Sequence, residues 1–325
     1  LNHLKINYPL KRLLLLFIIL VLAGCNHSAN DDANSMKPAV HVTPAGDKII
    51  FLDNFYSSYL KAARAGSKNY DTLYSQKIDK PIYENYFSAS EYAEAVKDFM
   101  GFSIHDTAGI QNTITGIENN KEKIENLVAA ALQECRKYLK IEKLSVFIKP
   151  VNGTMKSDIK KMGGVMSLDA GSQQIIIVID PTVLTWSTQL EYCVANEYMH
   201  AYCTKIDFSK MSSWTLLHYM VYEGKGDAYA HLLFPGVNVP WTNALSESEK
   251  GYIWSRVKME LLSEEFYLNR GIMYGNDTYP QWSGFTLGYN MMQAALKNNP
   301  KLTPEEWVNL SPEKVLTMSD YEAMK

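Results

Sequence analysis

Apolar residues recur at helical spacing along most of this 325-residue chain, and one stretch in the middle departs from that pattern. From about Ile49 to Phe99, spaced aromatics and charges with few breakers predict helices, and Lys121 to Leu139 continues in the same way. Leu144 to Ile148 is a short β-type run ending at Pro150. Gly163-Gly164 and Ala170-Gly171-Ser172 bracket a second candidate strand, and Gln174 to Ile179 is a β-branched run stopped by Asp180-Pro181. This region predicts a small sheet of two to four strands. Helical periodicity then returns over Trp186 to Thr204, Ser213 to Phe234, Ser246 to Asn269 and Trp282 to Lys297. Thr303-Pro304-Glu305-Glu306 opens a last helix with a cap, a first-turn proline and the glutamate of a capping box. The expected fold is α+β, helix-dominated, with the small sheet at about 144–180 placed before the helix at Trp186.

The N-terminus follows a different rule. Lys5, Lys11 and Arg12 precede the apolar run Leu13 to Leu22, and Leu22-Ala23-Gly24-Cys25 follows at once. That order reads as a lipoprotein signal peptide over 1–24 with lipidation at Cys25, the run being too short to span a bilayer. Residues 25–47, rich in Asn, Asp, Ser and Pro, read as a flexible tether, and 48–325 as one domain. The expected location is the cell envelope, with the membrane as partner through the lipid. Asn26 does not supply the aspartate that retains some lipoproteins at the inner membrane, which favours the outer one.

Composition narrows the picture. Apolar residues make up 46% and aromatics 12%, enough for a sizeable core. Without residues 1–24 the net charge falls from −3 to near −6, which argues against nucleic acid as a partner. Cys135, Cys193 and Cys203 remain after Cys25, an odd number that excludes a fully paired disulfide framework. Cys193 and Cys203 on one helix would stand about 15 Å apart, too far to bridge.

On the helix from Trp186, Leu190, Val194, Tyr198 and Ala201 share one face. Cys193, Asn196, Glu197, His200 and Cys203 gather opposite, so this helix is expected to be buried on both sides. Asn196 to His200 reads N-E-Y-M-H, one residue from the H-E-x-x-H in which two histidines hold zinc and the glutamate activates water. Glu223 and Asp227, in E-G-K-G-D on the next helix, are of the type needed for a third ligand and a carboxylate behind it. Gly224 and Gly226 weaken that helix and suggest close packing there. Competing readings make Glu197 and His200 a structural pair, Cys193 and Cys203 small buried hydrophobes, and His218 and His231 packing or surface residues.

Four pieces in order, QQIIIVIDP, NEYMHAY, VYEGKGDAYA and WSGFTLGYNMM, resemble the thermolysin-like zincins. They resemble more closely a family of predicted zinc-dependent proteases related to gliding-motility lipoproteins. The resemblance implies His200 as second zinc ligand, Glu223 as third, Glu197 as general base, and Asp227 as partner of His200. It also implies Gln174 to Ile179 as the edge strand that aligns an extended substrate, and Tyr289 as a tyrosine that hydrogen-bonds a tetrahedral intermediate. The first ligand position holds Asn196, whose neutral amide is a poorer zinc donor than imidazole. Zinc is therefore expected to bind weakly or not at all. The resulting function is a non-catalytic binding or envelope-assembly protein, with an active peptidase using Glu197 as the alternative.

Overall fold

The computed structural model describes residues 37–66, 69–100, 104–207 and 213–321. Cys25, the signal segment and residues 25–36 of the expected tether lie outside the described residues. No helix among the described residues is long and apolar enough to cross a membrane.

A five-stranded mixed sheet organises the fold, in the order β1-β2-β3-β5-β4. Its strands are β1 (Ala39–Val42), β2 (Lys48–Phe51), β3 (Ser145–Pro150), β4 (Val165–Asp169) and β5 (Gln174–Ile179). β2, β3 and β5 run parallel, while β1 and β4 pair antiparallel at the two edges. The runs KIIF, SVFIKP and QIIIVI are apolar on both faces because two cores flank the sheet. Ile49, Val146, Ile148, Ile175 and Ile177 point into one core; Ile50, Phe147, Ile176 and Val178 point into the other.

The second core is filled by α1 (Asp53–Arg64) and by a helical run over 70–87, which contains α2 (Tyr70–Tyr74), α3 (Lys80–Ile82) and two π-helical turns. α4 (Ala93–Met100) and α5 (Thr107–Asn119) complete it. α6 (Lys121–Cys135) closes the first core from one side. After α7 (Lys156–Lys161) and the last two strands come α8 (Trp186–Asp207) and α9 (Leu216–Leu233). The chain ends with α10 (Glu247–Val257), α11 (Phe266–Tyr274), α12 (Ser283–Asn298), α13 (Pro304–Val308) and α14 (Pro312–Met318). The fold is α+β and helix-dominated, with the sheet ahead of α8.

Three expectations are corrected. Ordered structure reaches back into the segment read as tether, because Ala39–Val42 pairs with Lys48–Phe51 and the turn between them is locked by buried Asp47. Asp47 accepts from Thr43 Oγ1 (3.2 Å), the Leu144 amide (2.9 Å) and both terminal nitrogens of Arg136, which ties the β1–β2 turn to the end of α6. Lys48–Phe51 is a strand and not the start of a helix, since an apolar run of this length carries no period of its own and takes its geometry from β3. The helix expected over Ser246 to Asn269 is broken into α10 and α11. The carbonyls of Leu261 and Ser263 accept from the Leu217 and Leu216 amides, and the Glu265 side chain caps α11. The capping box at Thr303 forms as expected.

Lys149 on β3 is fully buried, its Nζ having no hydrogen-bond partner and lying 5.8 Å from the Tyr56 ring centroid and 5.5 Å from that of Phe99. Burial lowers its ammonium from 10.5 to about 8. Between those values the folded chain binds fewer protons than the unfolded one, so stability should climb as pH rises from about 8 to 10.5. Below about 8 the full penalty remains, on the order of 3 kcal/mol. Lys149→Met, of similar volume, should raise the melting temperature at pH 7 and flatten that climb. Thermal unfolding at pH 7 and pH 10 measures both.

Candidate functional site

α8 packs on the sheet with Leu190, Val194, Tyr198 and Ala201, all completely buried, and its opposite side is buried as well. Asn196, Glu197 and His200 are 8%, 6% and 3% exposed. The cover over them is α9. A methyl group on Gly226 would stand 2.5 Å from His200 Nε2 and 2.8 Å from Asn196 Nδ2. A methyl group on Gly224 would stand 2.4 Å from the Gly288 carbonyl oxygen of α12. The two glycines singled out in the sequence therefore let α9 lie directly between α8 and α12.

Around this contact the predicted residues divide into two groups. His200 stands between two carboxylates, its Nδ1 3.4 Å from Glu197 Oε2 and its Nε2 4.0 Å from Glu223 Oε2. Its ring stacks on Tyr222 at 4.1 Å. Asn196 instead joins Asp227, whose Oδ1 accepts from Asn196 Nδ2 (3.2 Å), Tyr192 OH (3.0 Å) and Trp241 Nε1 (2.8 Å). Asp227 thus anchors Asn196 and not His200, correcting the partner inferred for it.

Several contributors carried no signal in the motif. Ser167 on β4 donates to Glu197 Oε1 at 2.7 Å. Asp169, two residues on, accepts from Thr204 Oγ1 (2.7 Å), Tyr222 OH (3.3 Å) and the Gly171 amide (2.9 Å). Burial raises Asp169, Glu223 and Asp227 each to about 7. The Thr204 and Gly171 bonds hold Asp169 back, His200 holds back Glu223, and Trp241 and Tyr192 hold back Asp227. Burial alone would lower His200, but Glu197, Glu223 and Asp169 outweigh it and lift the imidazole to about 9.

Tyr289 does not join this group. Its ring meets His231 edge-on at 6.0 Å, and with Tyr192 and Thr242 both line a separate cavity of about 170 Å³. Tyr274 at the end of α11 is within electrostatic reach of Glu223 and Glu197. Desolvation and the charges of Glu223 and Glu197 raise its hydroxyl above the ordinary value, although the residue is 55% exposed. His218 caps α9 through Thr215, at 2.8 Å from its Oγ1. Cys135 and Cys193 are buried thiols, and burial pushes the Cys193 thiol up, as for an inert core residue.

The edge strand is also reassigned. β5 lies between β3 and β4, so the sheet edge beside α8 belongs to Val165–Asp169. Hydrogen bonds from Ala170 N to Gln174 O and from Asp180 N to Gly164 O set the ladder's phase. Met166 and Leu168 therefore bond to β5, while the backbone groups of Val165, Ser167 and Asp169 face outward.

A catalytic zinc site takes three protein donors and leaves a fourth position for water. Here His200 Nε2 is buried without a hydrogen-bond partner and Glu223 is near it, which suits two of the three. The third position does not fit. A carboxylate is acceptor-only when ionised, so Asp227 draws the N–H end of the Asn196 amide toward itself. Among the described residues, no three His, Cys, Asp or Glu side chains are grouped to hold a metal ion. Neither cysteine nor His231 supplies a replacement.

The closeness of α9 has a direct consequence. Gly226→Ala should destabilise by about 1–3 kcal/mol through overpacking, even though alanine favours helix by up to ~1 kcal/mol. Gly251→Ala on α10, where nothing lies within 4 Å, should be neutral or stabilising. Urea unfolding of the two variants gives the comparison.

Residues 124–317 match the sequence profile of a family described as "Predicted Zn-dependent protease (DUF2268)". No curated protein and no solved structure matches the chain. The matched span takes in α8, α9, the cluster at their crossing and β4, and it covers more than half of the sequence. On that ground the chain belongs to the DUF2268 family of predicted Zn-dependent proteases.

Proposed function

We propose that this chain is a lipid-anchored member of its family that has given up zinc catalysis and uses the metallopeptidase-like cleft to bind an extended peptide segment of an envelope protein. The observation that carries this reading is Asn196 at the third donor position, where the amide gives its N–H to Asp227 and keeps only a neutral carbonyl oxygen, a poorer zinc donor than imidazole. Glu197 keeps its place beside His200, but a general base for hydrolysis needs a bound, activated water, and two strong donors hold zinc poorly.

Peptide binding needs less. Among the outward-facing positions of that edge Val165 and Asp169 are buried, so an added peptide would meet the backbone of Ser167, which also ties the edge to Glu197. A segment lying there would pass over Glu197 and Glu223 toward Tyr274. Binding should slow amide hydrogen exchange at Ser167 and leave Met166 and Leu168 little changed. Uniform or absent protection on β4 would remove the strand-addition mode.

The metal is tested separately. The parent protein should show no rise in melting temperature with added zinc and no loss with a chelator. Asn196→His should be less stable than the parent by roughly 1–3 kcal/mol without metal and should regain that stability as zinc is added. Glu223→Ala in that background should abolish the response. Stoichiometric, chelator-resistant zinc in the parent would restore the peptidase reading with Glu197 as base.

Anchoring rests on the lipobox ending at Cys25. Cys25→Ser should move the protein from the membrane to the soluble fraction on cell fractionation, since the polar segment after it has no affinity for lipid. Complete retention in the membrane fraction would show that something other than the lipid holds it there.

A further inference from the structure

Among the described residues, twelve large apolar side chains are exposed, and six of them fall between Tyr252 and Tyr274. Met259 and Leu262 are each 78% exposed, Phe266 61% and Tyr267 79%. They stand on a rigid support. The Leu216 and Leu217 amides bond the carbonyls of Ser263 and Leu261, Asn269 Nδ2 bonds the Ser263 carbonyl, and Leu261 is buried in the core. Apolar groups fixed in water at this density mark a surface that meets another molecule.

The charges on α11 and just before it say what that molecule is. Tyr267, Arg270 and Tyr274 follow one another at i, i+3 and i+7 on the outer face, while Ile272 and Met273 are buried behind them. Glu264 stands in the turn before the helix, three residues ahead of Tyr267, as Arg270 follows Tyr267 by three. Both are exposed, and neither has an ion-pair partner among the described residues. An acid at one end and a base at the other are complementary to the same stripe turned end for end. That is the condition for an isologous two-fold contact, in which one patch serves both partners.

We propose that α11 and the turn before it form the interface of a homodimer, with the two α11 helices antiparallel about Tyr267. Tyr267 then faces its counterpart on the axis, and Glu264 of each copy meets Arg270 of the other. Met259, Leu262 and Phe266 supply the apolar contact around them. A bilayer surface would not require opposite charges at the two ends, and an unrelated partner would not require them to match each other.

The test uses the full chain in its own membrane. Tyr267→Cys should give a disulfide-linked species of twice the chain mass under mild oxidation. Leu184→Cys, at a site 98% exposed and outside the patch, should give little. The parent, with Cys135 and Cys193 buried, controls for its own thiols. Arg270→Glu should lower the Tyr267→Cys cross-link at least fivefold, and adding Glu264→Arg should restore most of it. Cross-linking at Tyr267 no greater than at Leu184, a linked product of another mass, or no rescue by the double charge reversal would each overturn the dimer.

Discussion

The separation between α9 and its two neighbours is set by glycine, and the centre exists because of it. Gly226 lies against His200 and Asn196, and Gly224 and Gly288 bring α9 and α12 into backbone contact. A helix with ordinary side chains at these positions would stand further off, and Glu223 and Asp227 could not reach residues on α8. The motif E-G-K-G-D therefore couples two requirements, since its carboxylates are one turn apart and the glycines between them allow the helix to come close enough to use them. Lys225, between the glycines, points the other way and donates to the carbonyls of Val308 and Leu310, which joins α9 to the C-terminal helices.

Bringing carboxylates this close under cover creates an electrostatic load. Asp169, Glu197, Glu223 and Asp227 surround a single imidazole, and burial drives three of them toward neutrality. The load is divided. His200 answers Glu197 and Glu223, while Asp169 and Asp227 are held by neutral donors from tyrosine, tryptophan, threonine and the backbone. Such hydrogen-bonded acids persist without a metal, because each has partners that survive when one ligand type is exchanged for another.

Much of this arrangement was legible in the chain. The double-faced burial of α8, the strand segments from Ser145 onward and the close approach of α9 all follow from residue spacing and glycine placement. Long-range partners were not legible. Ser167 and Asp169 stand on a five-residue strand whose role depends on being at the edge, and edge position follows from pairing, which no local pattern carries. β2 was missed for the same reason, because four residues are too few to show a period. Tyr289 is suggested by a motif on α12, yet its ring meets His231 beside Tyr192, and the break between α10 and α11 sets Tyr274 within reach of Glu223 and Glu197. That break depends on carbonyls accepting from α9, a tertiary contact in a segment whose own periodicity favours one continuous helix.

Asn196 is best understood through what Asp227 requires. A carboxylate buried to this extent needs donors, and Trp241 and Tyr192 supply two of the three it has. A histidine ligand at position 196 would give the same carboxylate one N–H from its far nitrogen, and the asparagine amide gives one as well. From the side of Asp227 the two residues supply the same kind of donor, although a larger imidazole must also be fitted against Gly226. Asn196 thus serves the contact between α8 and α9 through Asp227. A three-donor zinc site would depend on the residue at 196, whereas the edge of β4 depends on its own backbone and on Ser167. That edge is therefore indifferent to which of the two residues stands at 196.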